Sequence, residues 1–199
     1  IVEAAKRNRA LVAVNPGLRQ LSAYWPTVEA LLPKIDVLAI NRTEAAAILP
    51  HLVARFGEDG PRLAGDDLPS LAARGLRGGG FEMSLAGFLA AMAKLGLGRL
   101  VLTDGDRGAY VSDGKEVVFC PAAKCETVGT AGAGDAFAST FTAALAHGWS
   151  IDDGLKAATL NAASVIGYVD TQSGLLTHDA LRARMRETEL EIRRWPLEG

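Results

Sequence analysis

Val128-Gly129-Thr130-Ala131-Gly132-Ala133-Gly134-Asp135-Ala136-Phe137 is the stretch on which the fold turns. Small residues at 131–134 let backbone N–H groups come close to an anion, and Phe137, Phe141, Ala144 and Leu145 recur on one face of a helix that Gly148 stops. Such a helix start is a phosphate cradle, because its first N–H groups lack intrahelical partners and its dipole favours negative charge. Asp135 falls in the first turn, where the dipole keeps its carboxylate ionised and able to accept a proton from a hydroxyl. The plain alternative is a tight glycine loop with a favourable N-terminal charge. Phe137 stands where the third glycine of a dinucleotide G-x-G-x-x-G belongs, and no Gly-Lys-Ser or Gly-Lys-Thr completes a Walker A loop.

Upstream, short β-branched runs alternate with longer helical patterns, as parallel strands joined by crossover helices do. Leu11–Val14, Asp36–Ile40 and Arg99–Thr103 read as strands. Ala109–Ser112 and Glu116–Phe119 flank Asp113-Gly114-Lys115, which predicts an antiparallel hairpin appended to the sheet. Downstream, Ser150-Ile151-Asp152-Asp153 is a capping-box pattern opening a helix with Leu155, Ala158, Ala162 and Val165 inward. A last helix is expected from about Asp179 to Arg194, its charge run from Arg182 forming a solvated face and Pro196 ending it. Ile1–Arg7 has the pattern of an amphipathic helix end, so the chain is expected to begin inside a fold. Glycines at 57, 60, 65 and 78–80 give residues 50–83 a loop-rich composition, expected as a surface insertion and not a second domain.

With 199 residues, 49% hydrophobic and 22% charged, the chain can bury one substantial core. A formal net charge of −2 leaves no electrostatic footprint for nucleic acid or an anionic membrane. No apolar run reaches the roughly 18 residues of a membrane span, and no signal-peptide pattern is present. Cys120 and Cys125 have neither metal-ligand spacing nor the density of a disulfide scaffold, so reduced thiols of a cytoplasmic protein are expected. His51, His147 and His178 form no spaced cluster, and Trp25, Trp149 and Trp195 read as packing or surface anchors.

Thr130, Gly132, Ala133, Gly134 and Asp135, with the apolar helix behind them, resemble the signature Asp-Thr-x-Gly-Ala-Gly-Asp of the PfkB or ribokinase-like family of carbohydrate kinases. Further segments resemble the family's in its order. Asn41-Arg42-Thr43-Glu44 is similar to its Asn-x-x-Glu, although Asn at N-cap with Glu at N3 is also a helix capping box, and both readings can hold. Thr103-Asp104-Gly105-Asp106-Arg107-Gly108 is similar to its ATP-binding Thr-x-Gly-x-x-Gly, which alone would read as a strand-to-hairpin turn. Asn15-Pro16-Gly17-Leu18-Arg19 resembles Asp-Pro-Asn-x-Arg more loosely, with two replacements. Asn161-Ala162-Ala163-Ser164 resembles the small-residue helix bordering the adenine pocket, with the loop to Gly174 continuing the wall; small residues for close packing give the same pattern.

The resemblance implies an α/β fold of three-layer α/β/α, ribokinase-like type: a mostly parallel sheet with crossover helices and the appended hairpin. It implies ATP-dependent phosphorylation of a sugar or sugar-like hydroxyl. Asp135 is then the general base, and the backbone of Gly132, Ala133 and Gly134 up to Asp135 forms the anion hole. Thr103, Gly105, Gly108, Thr130 and Asn161 bind the nucleotide, Glu44 with Asn41 orients Mg2+ through water, and Arg19 meets substrate or phosphate. Gly129 stands where the family has Asp, near a monovalent-cation site in relatives, so K+ use is left open. Residues 1–199 are placed as the C-terminal, nucleotide-binding portion of a single ribokinase-like domain, the sugar-contacting segments and lid being expected before Ile1. The partners implied are a small-molecule sugar and ATP; a homodimer, the acceptor's identity and the role of the 50–83 insertion are left open. Two other readings stand beside it: a truncated or non-catalytic nucleotide-binding module, and an NAD-dependent α/β oxidoreductase.

Overall fold

The computed structural model describes residues 1–197; residues 198 and 199, the end of the expected 1–199 portion, lie outside the described residues. In chain order the elements begin α1 (Val2–Arg7), β1 (Ala13–Val14), α2 (Leu18–Ala23), α3 (Trp25–Leu31), β2 (Val37–Asn41) and α4 (Arg42–Phe56). There follow α5 (Ser70–Arg74), β3 (Leu76–Gly78), β4 (Phe81–Met83), α6 (Leu85–Lys94), β5 (Leu100–Thr103), β6 (Ala109–Ser112) and β7 (Glu116–Cys120). The chain ends with α7 (Ala133–Ala146), α8 (Ile151–Ile166), α9 (His178–Glu187) and β8 (Arg193–Pro196). It forms two compact units, one of Ile1–Asp104 with Tyr110–Val117 and the residues from Arg194, the other of Gly105–Ala109 with Val118–Arg193.

The first unit is organised by the sheet, whose strand order is β1-β2-β5-β6-β7-β8. β1, β2 and β5 run parallel, with Val14 opposite Leu38 and Leu38 opposite Leu100. Val37–Ile40 and Leu100–Leu102 are buried along their whole length, as strands covered on both faces must be. β1 is shorter than its apolar run suggests, because the Val12 N–H is taken by the Asp36 carboxylate at 2.7 Å instead of a ladder partner. Lys6 from α1 meets the same carboxylate at 2.6 Å. Burial works against ionisation of Asp36, but Lys6 and the Val12 N–H outweigh it and lower its pKa. Trp25 is buried and stacks on His51, ring centroids 5.9 Å apart, the packing role expected of it.

Residues 50–83 are more regular than their glycines suggest. α4 continues through Pro50 to Phe56, Leu71 of α5 is fully buried, and β3 and β4 pair antiparallel with Leu76 opposite Met83. Gly79 and Gly80, both at positive φ, make the turn of that hairpin. The expected surface insertion is therefore partly core.

The C-terminal expectation is corrected too. The last helix, α9, stops at Glu187, and Arg193–Pro196 forms a strand at the sheet's edge. An edge strand tolerates Pro196 because one of its sides needs no ladder donor. Arg194 there pairs with Glu116 at 2.7 Å, so the charge run is not one solvated helix face.

The second unit is helical. Ser150 caps α8 by accepting from the Asp153 N–H at 3.0 Å, as its sequence pattern predicts. Gly154 lets α8 come against Phe141 of α7, whose ring would lie 3.3 Å from any added Cβ. Ala157 and Leu160 pack with Leu181 and Met185 of α9, and Trp149 joins this cluster beneath the Arg182 guanidinium, 4.7 Å from its ring. No helix among the described residues is long and apolar enough to cross a membrane.

Candidate active site

In the first unit, the carboxyl ends of β2 and β5 meet where Asn41 stands opposite Thr103. The crevice outside such strand ends is where open α/β sheets take ligands. Asn41 Oδ1 accepts from the Glu44 N–H at 2.9 Å, and Glu44 Oε2 accepts from the Asn41 N–H at 2.8 Å. The capping box is thus complete, and it fixes the Glu44 carboxylate with Oε1 outside the cap. No three His, Cys, Asp or Glu residues among those described converge to ligate a metal directly. One oriented carboxylate fits Mg2+, which retains several of its waters. Arg19 is exposed on the short helix α2, and no hydrogen bond or ion pair among the described residues ties its side chain to this corner.

Beside Thr103 the structure adds residues that the motifs do not single out. The Asp104 carboxylate is almost fully buried and holds two arginines, Arg42 Nε at 2.7 Å and Arg74 Nη2 at 3.3 Å. Both arginine side chains are about half exposed. Tyr110 is buried close by; burial foremost, with the Asp104 charge in support, pushes its phenol up to about 12. Arg74 is distant in sequence from Asp104, so no local pattern announces this cluster.

In the second unit, Gly132 is the N-cap residue of α7, and its φ of 79° and ψ of −10° place it in the left-handed region. No side chain caps the helix, and its first intrahelical bond runs from the Ala136 N–H to the Gly132 carbonyl at 2.8 Å. The first N–H groups of the helix, from Ala133 on, lie ahead of that bond, at the end where a helix presents donors to an anion. A Cβ built on Gly134 would meet nothing within 4 Å, so this side of the first turn is open. Asp135 and Thr130 are exposed at the same helix start. Residues 121–131 contain no strand, so the strand–glycine turn–helix of a dinucleotide fingerprint is not formed.

The loop after α8 closes on this turn. Val128 and Gly129 N–H groups donate to the Ile166 carbonyl at 2.9 and 3.0 Å. A Cβ at Gly129 would lie 2.9 Å from the Tyr168 carbonyl, so the Asp that the family carries there would not fit the loop as it stands. Asp170 accepts from the N–H groups of Gln172 at 2.8 Å and Ser173 at 2.7 Å, and these bonds, Ser173 first, draw its carboxyl down to about 2. Asn161 is buried; its Nδ2 donates to Thr140 Oγ1 at 2.8 Å and its Oδ1 accepts from the Leu176 N–H at 2.9 Å. It ties α7, α8 and the returning loop together. Gly108 has a positive φ of 108°, and a Cβ there would also strike the Cys120 carbonyl and the Phe119 ring, so the position needs glycine twice over, whereas Gly105 faces open space.

A profile of the pfkB family carbohydrate kinases matches residues 1–178. An ATP-dependent 6-phosphofructokinase of Thermoanaerobacterium thermosaccharolyticum is 26% identical over 190 residues, which take in 92% of this chain and 49% of that protein. A ribokinase of Lactococcus lactis subsp. lactis is 31% identical over 94 residues, 47% of this chain and 31% of the relative. The solved ribokinase of Thermotoga maritima superimposes with a TM-score of 0.68 at 20% identity, over 94% of this chain and 52% of that one. The fold is therefore ribokinase-like, and the chain spans about half the length, or less, of these relatives. On the breadth of the family match, this chain belongs to the PfkB family of carbohydrate kinases.

Proposed function

We propose that this chain is the C-terminal, nucleotide-binding portion of a kinase that transfers the γ-phosphoryl group of ATP to a hydroxyl of a sugar or sugar-like acceptor. The observation that carries this reading is the uncapped start of α7, with glycine at 132 and 134 and a carboxylate in the first turn. The N–H groups of Ala133, Gly134 and Asp135 donate to the oxygens of the phosphoryl group in transit. They are held by the helix, so they need no reorganisation as charge shifts. The Asp135 carboxylate accepts the acceptor's hydroxyl proton as the new O–P bond forms and the bond to the ADP oxygen breaks. Mg2+, arranged through water by Glu44 and Asn41, supplies neutralisation of phosphate charge when bound. Thr103, Gly105, Gly108 and Thr130 serve the nucleotide, and Asn161 serves it through the loop it pins. Arg19 belongs to the reading as a substrate or phosphate contact. Gly129 brings no carboxylate to the loop, so any K+ bound there would have to take its ligands from other groups. An ATP-dependent kinase of small sugars acts where ATP is held, in the cytoplasm.

Asp135→Asn in the full-length protein tests the base. Sugar-dependent ADP release is expected to fall by about 100-fold or more while MgATP binding persists; near-normal turnover would remove Asp135 from that role. The half-length match favours one further reading, a portion that binds nucleotide without turnover by itself. Nucleotide binding by the isolated chain without sugar-dependent ADP release would support it.

A further inference from the structure

We infer that Arg42, held by Asp104, binds the polyphosphate of the nucleotide, with Asp104 as its positioning residue; this rests on the ATP-dependent reading above. Arg42 follows Asn41 and Asp104 follows Thr103, and Asn41 and Thr103 stand opposite each other at the ends of β2 and β5. The cluster therefore grows from the same corner as the proposed nucleotide contacts. One carboxylate is shared between two guanidiniums, so Asp104 alone does not neutralise both arginines.

The pairing geometry decides which part of Arg42 is available. Asp104 Oδ1 approaches Arg42 at Nε, 2.7 Å away, so the ion pair is made on the Nε side of the guanidinium. The Nη1–Nη2 edge is the fork that receives two phosphate oxygens at once. The Arg42 side chain is 51% exposed while the Asp104 side chain is 2% exposed, so a buried anchor holds an arginine that a ligand can reach. A pair that served only folding would gain little from this arrangement. Burying a carboxylate is costly before any pairing, and an apolar residue of similar volume often stabilises a fold as well.

The test uses the full-length protein and calorimetric titration with MgATP and with AMP. Arg42→Ala is expected to weaken MgATP by about tenfold or more and to leave AMP within about twofold, with Arg42→Lys restoring part of the loss. Asp104→Asn is expected to reproduce the selective loss; should it fail to fold, the exposed Arg42 variants still decide. MgATP affinity within about twofold of wild type in Arg42→Ala, or an equal loss for AMP, would overturn the inference. A wild-type protein that binds no MgATP would overturn the kinase reading and this inference together. Asp135→Asn that keeps full turnover would overturn only the base assignment.

Discussion

A methyl carbon added to Gly132 would lie 2.7 Å from Cβ of Thr171, in the loop that follows α8. The start of α7 is therefore shaped twice: by a φ of 79° that L side chains resist, and by a loop that leaves no room for Cβ. Gly132→Ala is expected to lower unfolding stability by about 2 kcal/mol or more, combining left-handed strain with overpacking. Urea titration measures this; a midpoint equal to wild type would mean the loop gives way freely.

Gly134→Ala should separate stability from binding. Nothing lies within 4 Å of the new Cβ, and Ala replaces Gly inside a helix, so stability should hold or rise by up to about 1 kcal/mol. The methyl group nevertheless occupies the open side of the first turn, so the KM for MgATP should rise. A variant that is stabilised yet kinetically unchanged would place the phosphoryl group elsewhere.

What could be read from the sequence was local. The cradle spans residues 130–135, and the Asn41–Glu44 cap is an i, i+3 pattern, so glycine, Asn and Glu carry their own meaning there. The strands β2 and β5 announced themselves as apolar runs because both faces are covered. The Asp104 cluster was not legible, since its arginines arrive from other elements through sheet register and packing. Arg193–Pro196 failed for a related reason: a charged segment with helical spacing becomes a strand only because the sheet offers it an edge beside β7. Asn161 matched a nucleotide-site pattern by position, while its bonds run to Thr140 and Leu176.

Those bonds make Asn161 a stability position first. Asn161→Ala leaves the Leu176 N–H and the Thr140 hydroxyl without their partner in a partly buried setting, at an expected cost of about 1–2 kcal/mol. Thermal unfolding measures the loss. Because the pinned loop carries Thr171 against Gly132, MgATP affinity should weaken as a consequence. Weaker MgATP binding with unchanged stability would show instead that the amide contacts the nucleotide itself.

Alkaline pH should expose the buried thiol. Burial foremost pushes Cys120 up to about 11 from 9.0, only partly countered by the Thr159 hydroxyl that donates to its sulfur at 3.4 Å. With the folded pKa above the unfolded one, the native state still holds its proton when the unfolded chain has lost it. The stabilisation is thus complete below pH 9 and disappears as pH climbs toward 11. A loss on the order of 2 kcal/mol is expected across that window. Tyr110, raised to about 12 from 10.0, steepens the fall in its upper part, so the comparison belongs between pH 9 and 10. Urea midpoints there should decline less in Cys120→Ala than in wild type, and at neutral pH a thiol reagent should label exposed Cys125 rapidly while Cys120 waits on unfolding. Parallel decline in the two proteins, or two thiols reacting at one rate, would mean that the sulfur between β7 and α8 is open to water.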